Sequence, residues 1–159
     1  MMTDAIRRSF PDGGSAEELL SLLRQQRDLY AELAGLAGGQ RALIAGDRPE
    51  QLLAVLSERQ RLIGRIEQVA RRLGPYKADW AGVRAALDEG QGPQAEQLLA
   101  EADGLLAAVL EKDEADARLL ARRKEATARA AGVTRAAQQV GAAYAAQMGS
   151  QGSGTEWTE

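Results

Sequence analysis

The chain contains no cysteine and no histidine. The first absence removes disulfides, thiolate metal ligands and cysteine nucleophiles together. The second removes the commonest general base and the commonest metal ligand, and with them the Glu-x-x-His motif of di-metal helical bundles. Aromatic residues are scarce, at 4%. The hydrophobic fraction of 45% rests mostly on Ala and Leu, whereas a sheet would draw on Val, Ile, Thr and aromatics. No hydrophobic run approaches a membrane span, and the start "MMTDAIRRSFPDGG" lacks the apolar core of a secretory signal. A basic surplus is missing too. A net charge of −3 and a pI near 5.2 argue against a nucleic-acid partner. The expectation is a cytoplasmic chain with no membrane insertion.

Motifs of catalysis are equally sparse. No G-x-x-x-x-G-K-[ST] loop occurs, and "AGLAGGQ" (Ala34 to Gln40) lies inside a helical pattern with no strand before it. The carboxylate pairs Glu17/Glu18 and Asp113/Glu114 are adjacent in sequence, so on a helix they diverge. No serine has a base partner nearby. The residues therefore point away from an enzyme and from any cofactor or metal, which leaves binding as the function.

What is present is helical periodicity with clear punctuation. Pro11, Pro49, Pro75 and Pro93 each stand where a helix could begin, and Gly46, Gly74 and Gly92 precede three of them. The fold expected is all-α: an elongated antiparallel helical hairpin or coiled-coil bundle with three main long helices and one short connector helix. A single domain over 15–148 would lie between a disordered tail, 1–14, and a flexible tail, 149–159. The first segment spans Ala16 to Ala45, with Ser15 and Glu18 as a capping box. Leu19, Leu22, Leu29, Leu33, Leu36 and Leu43 form a heptad seam, with Gln26 and Gln40 as polar members of the kind that fix register. The second spans Arg48 to Leu73, with Asp47 as N-cap and Glu50 closing a second box. Its seam is Leu52, Val55, Arg59, Leu62, Ile66, Val69 and Leu73. The corner "IAGDRPEQLLAVL" (Ile44 to Leu56) makes these two helices antiparallel neighbours.

Pro75 to Leu87 reads as the connector, with Tyr76, Trp80, Val83 and Leu87 on one face, and "DEGQGP" (Asp88 to Pro93) as a loop. A fourth segment starts near Pro93 and extends to about Met148, leaving its continuity through Gly132 and Gly141 open. Nine acidic residues fall between Asp88 and Asp116, and six basic ones between Arg118 and Arg135, an order that agrees with a helix macrodipole. The stretch "AAQQVGAAYAAQMGSQGSGT" (Ala136 to Thr155) carries no charge. Val140, Tyr144 and Met148 share one face of it. That face either docks on the chain's own bundle or awaits a partner helix. Trp157 follows as either an incidental residue or an anchor.

The run from Leu22 to Leu73 resembles the FlgN family of flagellar export chaperones. The likeness is carried by the Leu/Tyr heptad helix, by "ALIAGDRPEQL" (Ala42 to Leu52) and by "LSERQRLIGRI" (Leu56 to Ile66). "VGAAYAAQMGS" (Val140 to Ser150) sits where the family often carries an Ala/Tyr segment. The resemblance implies a chaperone that binds the amphipathic C-terminal segment of hook–filament junction proteins, prevents their premature assembly and escorts them to the type III export gate protein. Coupled folding of such a client suits a cargo that must be released. The residues expected to contact it are Leu119, Leu120, Val133, Val140, Tyr144 and Met148, each of which also fits an ordinary core. The alternatives are a structural coiled-coil or dimerisation module without a client, and adaptors for the filament-cap protein or for virulence secretion. A homodimer is compatible with either class.

Overall fold

A computed structural model describes residues 10–130 and 135–154. Among the described residues the regular structure is entirely helical: α1 (Ala16–Ala45), α2 (Pro49–Ala78), α3 (Trp80–Ala86), α4 (Gln91–Arg129) and α5 (Arg135–Gly154). The all-α expectation holds. None of these helices is long and apolar enough to cross a membrane.

Three boundaries differ from the sequence reading. First, α2 does not stop at Leu73 but continues through Gly74 and Pro75 to Ala78. Leu73 and Tyr76 are both buried, so tertiary burial of that turn overrides two local helix breakers. Second, only the first half of "DEGQGP" is a loop: residues 88–90 form a turn, and α4 begins at Gln91. The Asp88 carboxylate accepts from the backbone N–H groups of Gly90 (2.8 Å) and Gln91 (2.7 Å), and the Gln91 side chain accepts from Asp88 N–H (3.2 Å). This is a reciprocal capping box with Pro93 in the first turn, where no donor is needed. Third, where the sequence left the continuity of the fourth segment open, the described residues carry two helices. α4 ends at Arg129, Gly132 lies outside the described residues, and α5 passes through Gly141 without interruption and on beyond Met148.

The α1–α2 corner is a Schellman closure. Arg48 N–H donates to Leu43 O (3.0 Å) and Asp47 N–H to Ile44 O (3.2 Å), with Asp47 at φ 53° where glycine is usual. Asp47 therefore ends α1 instead of capping α2. The first carbonyl of α2 to accept a bond belongs to Arg48, from Leu52 N–H at 3.0 Å.

The chain divides into two compact units. The first holds α1 to Glu32, α2 from Ile63, α3, and α4 to Leu106. Leu19, Leu22, Leu73, Val83 and Ala95 form its most deeply buried positions. Ser15 caps α1 through Glu18 N–H at 3.1 Å, as expected, but the reciprocal half of the box is replaced. Ser15 N–H instead donates to the Tyr76 hydroxyl (3.3 Å), and Glu18 pairs with Arg72 (3.3 Å). Residues 10–14, expected within the tail, turn tightly through Gly14 N–H to Pro11 O (2.7 Å), and Phe10 meets the Tyr76 ring edge-on at 6.3 Å.

The second unit holds α1 from Leu33, α2 to Leu62, α4 from Ala107, and α5. In α1 the buried positions run Leu33, Ala37, Gln40 and Ile44, while Leu36 and Leu43 are half-buried. A straight α-helix of 3.6 residues per turn drifts away from a strict heptad, so the buried face moves one residue beyond the predicted seam. In α2 the same drift buries Leu56 and leaves Val55 half-exposed.

Candidate functional site

The second unit carries the features that sequence reading assigned to binding. Three helices meet there in a polar layer. Gln40 from α1, Arg59 from α2 and Asp113 from α4 are each at most 1% exposed. Arg59 grips the Asp113 carboxylate with both terminal nitrogens, at 2.8 and 2.7 Å, and also donates to the Gln40 side-chain oxygen. A bidentate guanidinium–carboxylate pair is the geometry in which a buried charge pair is best compensated. Gln40 and Arg59 were visible in the sequence as polar members of apolar seams, and they prove to be partners. Asp113 was read only beside Glu114. That pair does diverge, Asp113 inward and Glu114 to solvent. Its neighbour at i+3, Asp116, also faces inward.

Burial raises the Asp116 carboxyl above its ordinary 3.8, Asp113 pushes the same way, and Arg41, Arg59 and Lys112 oppose both. The layer and the α5 residue beside it are incompletely satisfied. Gln40 Nε2, Arg59 Nε, Asp116 Oδ2 and Gln147 Oε1 are buried without a hydrogen-bond partner.

α5 lies over an apolar cluster next to this layer. Val140 and Tyr144 are buried with Ile44, Leu52 and Leu56, and Leu119, Leu120 and Met148 pack against them half-buried. Two polar contacts also hold the helix. The Tyr144 hydroxyl donates to the Asp113 carbonyl (2.9 Å), and Gln147 donates to the Leu56 carbonyl. Burial, reinforced by Asp113 and Asp116, raises the Tyr144 phenol well above its usual range, so it serves as a neutral donor.

Five of the six residues expected to bind a partner are thus brought together: Leu119, Leu120, Val140, Tyr144 and Met148. Val133 and Trp157 lie outside the described residues. Sequence reading placed Leu52 in the seam of the second segment but missed Ile44 and Leu56 as the surface under α5, and Gln147 as a polar contact from α5 onto it. The i, i+4, i+8 spacing of Val140, Tyr144 and Met148 showed that α5 had an apolar face, but not which surface it met. The arrangement offers no nucleophile beside a base. It is an amphipathic helix packed on an apolar cluster beside a buried polar layer.

The sequence model of the family described as "FlgN protein" matches residues 2–150. No curated protein and no solved structure matches the chain. A match across nearly the whole chain, on an all-helical fold, establishes that the chain belongs to the FlgN family of flagellar export chaperones.

Proposed function

We propose that this protein is a cytoplasmic export chaperone for hook–filament junction proteins. It binds their amphipathic C-terminal segment, prevents premature assembly and escorts them to the type III export gate. Beyond family membership, the observation that carries this reading is the seat of α5. Ile44, Leu52 and Leu56 already accept an amphipathic helix of this chain, so the groove has the shape and chemistry for a client helix. α5 is an occupant that can be exchanged. It carries no charged residue after Arg135, and it contains four glycines, each unfavourable in a helix by roughly 1 kcal/mol against Ala. Its displacement frees Val140, Tyr144 and Met148 for the client, together with Leu119 and Leu120. Release is eased because client ordering consumes part of the binding energy.

One observation favours a second reading, a structural coiled-coil or dimerisation module without a client: α5 is already packed in cis. Co-expression with the C-terminal segments of the same organism's junction proteins, followed by size exclusion, separates the two. A stoichiometric complex supports the chaperone. If deletion of residues 136–159 abolishes it, the contacts lie on α5. If the complex survives, they lie on the groove. No complex, with a stable dimer of the protein alone, supports the structural module and overturns the chaperone.

A further inference from the structure

A cavity of about 100 Å³ opens where the α1–α2 corner meets the second half of α4 and the start of α5. Its floor is aliphatic: Ile44, Leu52, Leu120 and Val140. Its rim is basic: Arg48, Arg123 and Lys124, against the single carboxylate of Asp47. Arg123 is spent on the end of α1, where it donates to the Ile44 carbonyl. Arg48 and Lys124 are exposed, and among the described residues neither makes an ion pair. An apolar pit of this size accepts one aliphatic side chain, as an engineered cavity of about 150 Å³ accepts benzene. Unpaired cations at its mouth favour carboxylates beside that side chain.

We propose that this cavity docks an acidic peptide segment of a partner protein that presents one aliphatic side chain between carboxylates. Charge complementarity selects the peptide's acidic flanks, and the floor selects the anchor. A nucleic acid would satisfy the rim but leave the aliphatic floor unfilled. The site shares Ile44 and Leu52 with the groove under α5, but Val140 and Gly141 of the docked helix are among its walls. It is therefore complete only while α5 is seated, and its test uses the full chain without a client, so that its failure is distinguishable from failure of the client reading.

Gly141 supplies the discriminating variant. A Cβ there would meet only Lys124 Nζ, at 3.8 Å, an ordinary contact. Gly141→Leu thus extends a side chain at the cavity wall while improving helix propensity. The probe is a fluorescein-labelled 12-residue peptide of Asp, Glu and Gln with one central Leu, titrated against the full chain by anisotropy at low and high salt. The expected result is saturable, salt-sensitive binding. It weakens about tenfold when the peptide Leu is replaced by Ala, or when the protein carries Gly141→Leu, the loss of one buried aliphatic contact. The double variant Arg48→Glu/Lys124→Glu loses it as well, and circular dichroism shows all variants folded, with Gly141→Leu melting no lower than the parent. The proposal is overturned by no binding, or by equal affinity for the Leu and Ala peptides. It is also overturned if a single-stranded oligonucleotide binds more tightly and is indifferent to Gly141→Leu. Binding that appears only after residues 155–159 are removed would assign the cavity to the chain's own Glu156–Trp157 segment and likewise overturn it.

Discussion

At the scale of single residues, the second unit is governed by side chains that violate simple hydrophobic patterning. Arg59 and Asp113 are a fully buried ion pair, so removal of either partner leaves an uncompensated charge. Arg59→Met and Asp113→Leu are each expected to destabilise by about 3–5 kcal/mol, whereas the double variant recovers most of the loss. A urea-denaturation double-mutant cycle measures this, and additive single effects would show that the pair contributes nothing jointly. Half of this pair was legible: Arg59 interrupts a seam of Leu, Ile and Val, which forces a partner. Asp113 was not, because it sits in an acidic run that reads equally well as a solvated face. Asp47 illustrates a different limit. Gly46 and Pro49 announce a corner correctly, but which residue takes φ 53° depends on how the turn closes. Asp47→Gly removes a left-handed penalty of about 1 kcal/mol at that position. Its thermal midpoint should rise, and a fall would mean that the Asp47 side chain stabilises the corner.

At the scale of elements, existence was easier to read than extent. The Leu-rich periodicity of α1 and α2 gave two long helices with the correct corner, because each satisfies the same 3.6-residue rule along its length. In the second unit Leu33, Gln40, Leu52, Arg59 and Leu62 are buried as the seam predicts, whereas Leu36, Leu43 and Val55 give way to Ala37, Ile44 and Leu56, since a strict heptad was extrapolated where the helix is not supercoiled enough to hold it. α2 was ended too early because Gly74 and Pro75 are genuine local breakers, and sequence does not display the burial of Tyr76 that overcomes them. Pro75 is exposed, has no N–H to donate, and crowds the carbonyl four residues back. Pro75→Ala should therefore raise stability by about 1–2 kcal/mol, the helix-interior difference of about 3 kcal/mol reduced by the last-turn position and by unfolded-chain entropy. Denaturant midpoints of the full chain test it. A lower midpoint would indicate that α2 needs the proline's fixed φ to hand over to α3.

At the scale of the molecule, the proposed function rests on what α5 covers. Its own sequence is short of helix-stabilising charge pairs, and α5 is held by the burial of Val140 and Tyr144 together with the hydrogen bonds of Tyr144 and Gln147. Ile44, Leu52 and Leu56 are 3%, 2% and 1% exposed beneath it. Removing residues 136–159 would uncover these three side chains beside the half-buried Leu119 and Leu120, a contiguous apolar patch of the kind that marks an interaction surface or drives association. The truncated chain is expected to stay helical by circular dichroism, bind 8-anilinonaphthalene-1-sulfonate more strongly and self-associate with concentration in sedimentation. Tyr144→Ala should move the same readouts part of the way. It removes an aromatic anchor worth about 3–5 kcal/mol of packing and leaves the Asp113 carbonyl without its donor. Amide exchange at residues 52–56 should quicken in both variants. If dye binding, association and exchange all match the parent chain, α5 does not protect the groove, and the helix-exchange account of client binding loses its physical basis.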